Sequence, residues 1–106
     1  WAERFFAGDV ASGTLMVPME SRTTASPGGV KEYAFYRSGG WSWSIPYIAG
    51  VYALAAQVRP DITPDEFWST ALATGRTISL VHAGRTIPFG PILDAEALIT
   101  ALRAPA

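Results

Sequence analysis

The sequence predicts an α/β chain in which one helix, beginning near Ser42, forms a central buried rod flanked by short strands and two further helices. Three observations carry this expectation. Between Trp43 and Val58 only Ser44 and Gln57 are plainly polar, and no charge occurs until Arg59; a helix apolar on every side must be covered on every side. Thr63-Pro64-Asp65-Glu66 has the composition of a second helix start. Short runs rich in β-branched and aromatic residues, broken by Gly and Pro, lie between these helical stretches.

Taken in order, Thr14-Leu15-Met16-Val17 is an apolar run ended by Pro18, as in a buried strand that stops at a loop. Glu20 to Gly29 is rich in Ser, Thr, Gly and Pro and reads as an exposed loop. Tyr33-Ala34-Phe35-Tyr36 has the aromatic content of a second strand, and Arg37-Ser38-Gly39-Gly40 breaks it. In the helix from Ser42 to Val58, Ile45, Ile48, Val51, Tyr52, Leu54 and Val58 are apolar and alanines fill most other positions. Pro46 falls in the first turn, where backbone donors lack intrahelical partners anyway. Gly50 has no side chain and would let another element approach closely.

Thr63 can cap the next helix, Pro64 fits its first position and Glu66 completes a capping box, with Asp65 adding a favourable charge beside the positive helix end. Phe67, Ala71 and Leu72 form its inward stripe, and Gly75 is placed to end it. Thr77 to Val81 and Arg85 to Phe89 read as two strands joined at His82-Ala83-Gly84. Asp94 can cap a last helix through Leu102, with Leu98, Ile99 and Leu102 facing inward.

Composition narrows the function classes. Across 106 residues, eight Lys plus Arg against nine Asp plus Glu leave a net charge of −1, so the basic patch that meets nucleic-acid phosphates is missing. All cations but Lys31 are scattered arginines, which gives no polybasic membrane signal. The apolar run from Ile45 to Ala56 is too short to span a bilayer and contains Pro46 and Gly50. Hydrophobic residues make up 49% and charged ones only 16%, a balance that folds rather than stays disordered. With no Cys and one His, His82, thiolate chemistry and a Cys- or His-rich metal site are not expected; no cofactor is implied. The start, Trp1-Ala2-Glu3-Arg4-Phe5-Phe6, lacks the features of a signal peptide and reads as a cut end.

One residue stands where chemistry is favoured. Ser42 follows Gly39-Gly40-Trp41 at the point where the apolar helix begins, so its hydroxyl projects from a rigid element. Free N–H groups at the helix start can stabilise a developing oxyanion. Serines at such positions also serve simply as helix caps. His82 offers a base, with Asp61 or Asp65 to orient it, in the chain order of α/β-hydrolases. Their nucleophile elbow, G-x-S-x-G, would need glycine where Ser44 stands, however. His82 beside Ala83-Gly84 therefore reads as an exposed turn residue. Glu3, Glu20 and Glu32 show no paired spacing and read as solvated; the Trp and Phe residues read as core or former interface.

The stretch Gly40-Trp41-Ser42-Trp43-Ser44-Ile45-Pro46-Tyr47-Ile48-Ala49-Gly50 resembles the nucleophile motif of subtilisin-like serine proteases, G-T-S-M-A-x-P-H-V-A-G. Gly40, Ser42, Pro46, Ala49 and Gly50 match, and Ile48 is a conservative match to Val. Downstream, Arg59-Pro60-Asp61-Ile62-Thr63-Pro64-Asp65-Glu66 is similar to the family's P-x-L-T-P-x-x. Gly90-Pro91-Ile92-Leu93-Asp94-Ala95 is similar to its G-x-G-x-V-N-A, and Val17-Pro18 sits where the family has the A-P-G strand end. The resemblance runs in order from Asp9 to Leu102.

The resemblance implies the C-terminal part of a subtilisin-like catalytic domain, a three-layer α/β fold with a largely parallel sheet between helices. It also implies a parent protein that cleaves peptide bonds through an acyl-enzyme on Ser42, with Gly39, Gly40 and Trp41 at the oxyanion region and groove. The family's aspartate, histidine and oxyanion asparagine precede the serine, in segments these 106 residues do not contain. Serine without a base is a poor nucleophile, so the chain alone is expected to be inactive. The family allows calcium and secretion, neither of which is readable here. Trp41 and Trp43 replace the motif's Thr and Met, Tyr47 replaces its non-triad His, and Gly39 stands where Asn is frequent. These departures leave a second reading, a non-catalytic relative that binds peptide or a protein partner in the same groove. A third reading is an unrelated small domain with a self-contained core. Removal of upstream elements would leave the Ser42 helix poorly covered or drive self-association.

Overall fold

The structure, a computed structural model, describes residues 14–105. The readings of Trp1, Glu3, Phe5 and Phe6, and the part of the resemblance before Thr14, lie outside the described residues. In chain order the elements are β1 (Arg22–Ala25), β2 (Tyr33–Tyr36), a 3-10 turn (Trp41–Trp43), α1 (Ser44–Val58), α2 (Pro64–Thr74), β3 (Arg76–His82), β4 (Arg85–Ile92) and α3 (Ala95–Arg103). Helices and strands are mixed, as the α/β expectation requires.

The short strands form two small sheets rather than one. Among the described residues there are two separate antiparallel hairpins, β1–β2 and β3–β4. The only parallel pairing among them is a bridge at Met16, whose N–H donates to Pro91 O at 2.8 Å and whose carbonyl accepts from Leu93 N at 2.8 Å. Thr14 to Val17 is thus an edge with one pairing rather than a full strand, although Leu15 is buried.

The reading of Glu20 to Gly29 as loop is also corrected. Arg22 to Ala25 form β1, in register with Tyr36 to Tyr33. The turn between the strands is closed by Ser26 N–H donating to Glu32 O at 2.9 Å and Glu32 N–H to Gly29 O at 3.1 Å. The polar composition correctly signals exposure. It does not fix the backbone, because β-branched Thr23 and Thr24 suit a solvated strand.

One core is formed where the three helices meet. Val51 and Ala55 of α1 pack with Phe67 and Ala71 of α2, Leu98 and Leu102 of α3, and Leu15, Ile62 and Leu93 from the connections. Tyr52 closes its rim: its ring meets Phe67 edge-on at 4.9 Å and its hydroxyl donates to Ile62 O at 3.0 Å. The reading of Leu72 and Ile99 as inward holds less fully, since both are half-buried.

The helix caps follow the sequence. Thr63 Oγ1 accepts from Glu66 N–H at 3.2 Å while Thr63 N–H donates to Glu66 Oε2 at 3.0 Å, and Asp94 Oδ1 accepts from Ala97 N–H at 3.0 Å. Gly75 ends α2 in extended geometry, φ −60° and ψ 150°, not in the left-handed form common at helix ends. Glycine is needed there because a Cβ would come within 2.5 Å of Pro91 Cβ. In the β3–β4 turn both central residues take positive φ, 50° at Ala83 and 73° at Gly84, the pairing that a two-residue hairpin of native twist requires.

Of the two expectations for the central rod, buried or poorly covered, the described residues show the second. Only Val51 and Ala55 of α1 are buried, while Ile45 is 68% and Leu54 48% exposed. α1 is therefore covered along one stripe and bare on its other faces. The tryptophans and phenylalanines follow the same pattern. Phe67 is buried, whereas Trp41, Trp68 and Phe35 stand exposed.

Candidate active site

The chain reaches Ser42 through two glycines with different reasons for being there. A Cβ on Gly39 would fall 1.6 Å from Met19 O, so β2 can return past that carbonyl only without a side chain. Gly40 is extended, φ −152° and ψ 170°, and a Cβ there would meet nothing within 4 Å. Neither backbone nor neighbours demand glycine at Gly40; it leaves open space on one side of Ser42.

The next residues form a single 3-10 turn, with Trp43 N–H donating to Gly40 O at 2.9 Å. Ser44 locks the join to α1, its N–H and its Oγ (2.6 Å) both reaching Trp41 O. The α-helix starts at Ser44, with Trp43 in the cap position and no side-chain cap. This corrects the expectation that the helix starts at Ser42: the serine lies in the tight turn that prefaces it.

Ser42 itself is exposed, and its Oγ makes no hydrogen bond to any described residue. It is not a cap. The N–H groups of Trp41 and Ser42 likewise find no acceptor among the described residues, as is usual for the first donors of a helical segment. No acidic or basic residue occurs between Arg37 and Arg59. The turn thus offers a free hydroxyl, two free N–H donors and an open glycine side, the parts that attack on a carbonyl and stabilisation of its oxyanion require.

The two tryptophans that flank Ser42 differ. Trp43 is half-buried and meets the ring of Tyr36 edge-on at 5.5 Å and 88°. It also lines a groove of about 550 Å³ along α1 with Arg22, Tyr47, Gly50 and Leu54. Trp41 is 69% exposed, and no described ring stacks on it. Trp43 therefore belongs to the contact between the β1–β2 hairpin and α1, and Trp41 has no ring partner among the described residues beside Ser42.

Arg22 and Tyr36 escape sequence reasoning. Arg22 spans hairpin and helix, its guanidinium lying 4.6 Å from the centre of the Tyr47 ring and donating to Glu20 O at 2.7 Å and to Pro18 O. Nothing local signals a contact between positions so far apart in sequence. For Tyr36 the aromatic run predicts a strand but not which ring faces Trp43.

The alternative triad does not assemble. His82 ends β3 at the hairpin turn, exposed and opposite Arg85, while Asp61 and Asp65 are exposed beside α2. Ser42 Oγ touches none of them. At Glu66, hydrogen bonds from Thr63, backbone first and then side chain, hold the carboxyl below its ordinary value near 4.5. It belongs to the α2 cap rather than to the site. Among the described residues no group of three or more metal-ligating side chains occurs, and no helix is long and apolar enough to cross a membrane. No family model, curated protein or solved structure matches the chain.

Proposed function

We propose that this chain carries the nucleophile of a serine endopeptidase of the subtilisin type. Supporting the reading is one observation above the others: Ser42, the serine of the motif-like stretch, lies at the tip of α1 with a hydroxyl and two neighbouring backbone donors that have no partner among the described residues. In the proposed reaction Ser42 Oγ attacks the carbonyl carbon of a peptide bond. The hydroxyl proton passes to a base and then to the leaving amine as the C–N bond breaks. Water hydrolyses the resulting ester and frees Ser42. The N–H of Ser42 is one donor to the oxyanion, and the open side at Gly40 gives the substrate backbone room to approach.

The resemblance assigns the base to a histidine, and its orienting carboxylate to an aspartate, on segments that precede Ser42 in such proteases. The bare faces of α1 favour the same reading, because a charge-free helix is the kind that a larger domain covers. The test is hydrolysis of a casein-derived peptide mixture by the full-length protein. Cleavage abolished by Ser42→Ala is expected; cleavage that survives the substitution, or none in the parent protein, overturns the proposal. The 106-residue chain alone is expected to show no Ser42-dependent turnover.

A further inference from the structure

We infer that Trp41 is a specificity platform, on which a large apolar side chain of the peptide substrate stacks beside the bond that Ser42 attacks. This inference rests on the proposed function and adds the substrate class. Trp41 is an indole with 69% of its surface exposed, next in sequence to the free hydroxyl. A side chain of this size contributes strongly when covered and gains nothing when left in water.

Its backbone is among the most firmly held in the region, with Trp41 O accepting from both Ser44 N–H and Ser44 Oγ. The ring is thus displayed from a fixed anchor rather than from a loose loop. Its counterpart Trp43 already has a ring partner in Tyr36, whereas no described ring meets Trp41. On the other side of the turn Gly40 opens onto empty space. A peptide backbone lying over Gly40 with its carbonyl at Ser42 would bring the side chain next to the scissile bond against the Trp41 face. The Trp41 ring itself offers that side chain apolar surface and no charge, so it selects for apolar surface.

The experiment uses the full-length protein and pairs of peptides that differ only in one residue beside the scissile bond, Leu or Phe against Ser or Asp. Loss of an apolar contact of this kind costs roughly 10- to 200-fold in discrimination. Trp41→Thr is expected to lower the preference for Leu and Phe over Ser and Asp peptides, read as the ratio of their kcat/KM values, about 10-fold or more. Trp41→Phe is expected to restore most of the preference, as a general folding defect would not allow. Equal losses across all peptides overturn the inference. Binding of the same peptides to the Ser42→Ala variant separates this inference from the proposed chemistry. A preference for Leu and Phe that vanishes with Trp41→Thr supports the platform even if no hydrolysis occurs. Indifference to that residue overturns it whether or not Ser42 is a nucleophile.

Discussion

From Met16 to Gly50 no side chain is buried, whereas from Val51 to Leu102 nine are. The boundary falls within α1 itself. Its C-terminal half contributes Val51 and Ala55 to the three-helix core; its N-terminal half carries Ser42 on a turn held by other means. These are the carbonyl of Trp41 with its two donors, the edge-on contact of Tyr36 and Trp43, the close pass of Gly39 over Met19, and Arg22 clasping Tyr47. Each such contact contributes little beside the burial of a core ring. The difference teaches that scaffold and site are separable. Substitutions in the first region should alter chemistry and recognition with modest effects on folding, and those in the second should do the reverse.

The sharpest way to break this contrast is a pair of phenylalanines. Phe67→Ala empties the centre of the core and should cost about 3–5 kcal/mol, whereas Phe35→Ala, on the exposed face of β2, should stay within about 0.5 kcal/mol. Urea unfolding followed by far-UV circular dichroism reads both, and equal losses would show that the hairpin is as structural as the core. A smaller effect is expected at the α2 cap. Thr63→Ala removes the acceptor for Glu66 N–H and should cost about 1 kcal/mol.

The same cap sets a pH dependence. Because Glu66 is held below its ordinary value in the folded state, its contribution is complete above that value and lost as the pH falls through the depressed one. Glu66→Gln, which removes the titrating carboxyl itself, should flatten the acid limb of stability below about pH 4.5, and an unchanged limb would remove Glu66 from the account. The smallest effect, and the one that best sharpens the comparison, is at Gly50. A Cβ there meets nothing within 4 Å, so Gly50→Ala should stabilise the 106-residue chain by about 0.5–1 kcal/mol through helix propensity. In the full-length protein the same change should destabilise if another element packs over α1. Stabilisation in both would leave that face uncovered.

Legibility from sequence divides along the same line. The C-terminal region was readable because its signals are local. Thr63 and Glu66 are three residues apart, Asp94 directly precedes its helix, and Ala83-Gly84 marks its own turn. Phe67, Ala71, Leu98 and Leu102 fall at helical spacing. The exposed hairpin was half missed because Ser, Thr, Gly and Pro report solvent contact, and an exposed strand has the same composition as a loop. The position of Ser42 at a helix tip was legible from Gly39-Gly40 and the apolar run behind it. The 3-10 turn was not, because it depends on Ser44 bonding back to Trp41. Nor could the two tryptophans be told apart, since only the fold brings Tyr36 to one of them. The rod's need for cover was legible and its degree of cover was not: an apolar pattern states what a helix needs, not what the described residues supply.

The central claim is that Ser42 is an activated nucleophile, and its most direct measurement is the site of covalent modification. Full-length protein treated with a fluorophosphonate and digested for mass spectrometry should carry the phosphonyl group on Ser42 and on no other serine. The adduct should be lost with Ser42→Ala while the fold is kept. Modification at the neighbouring Ser44, or none at all, would contradict the account.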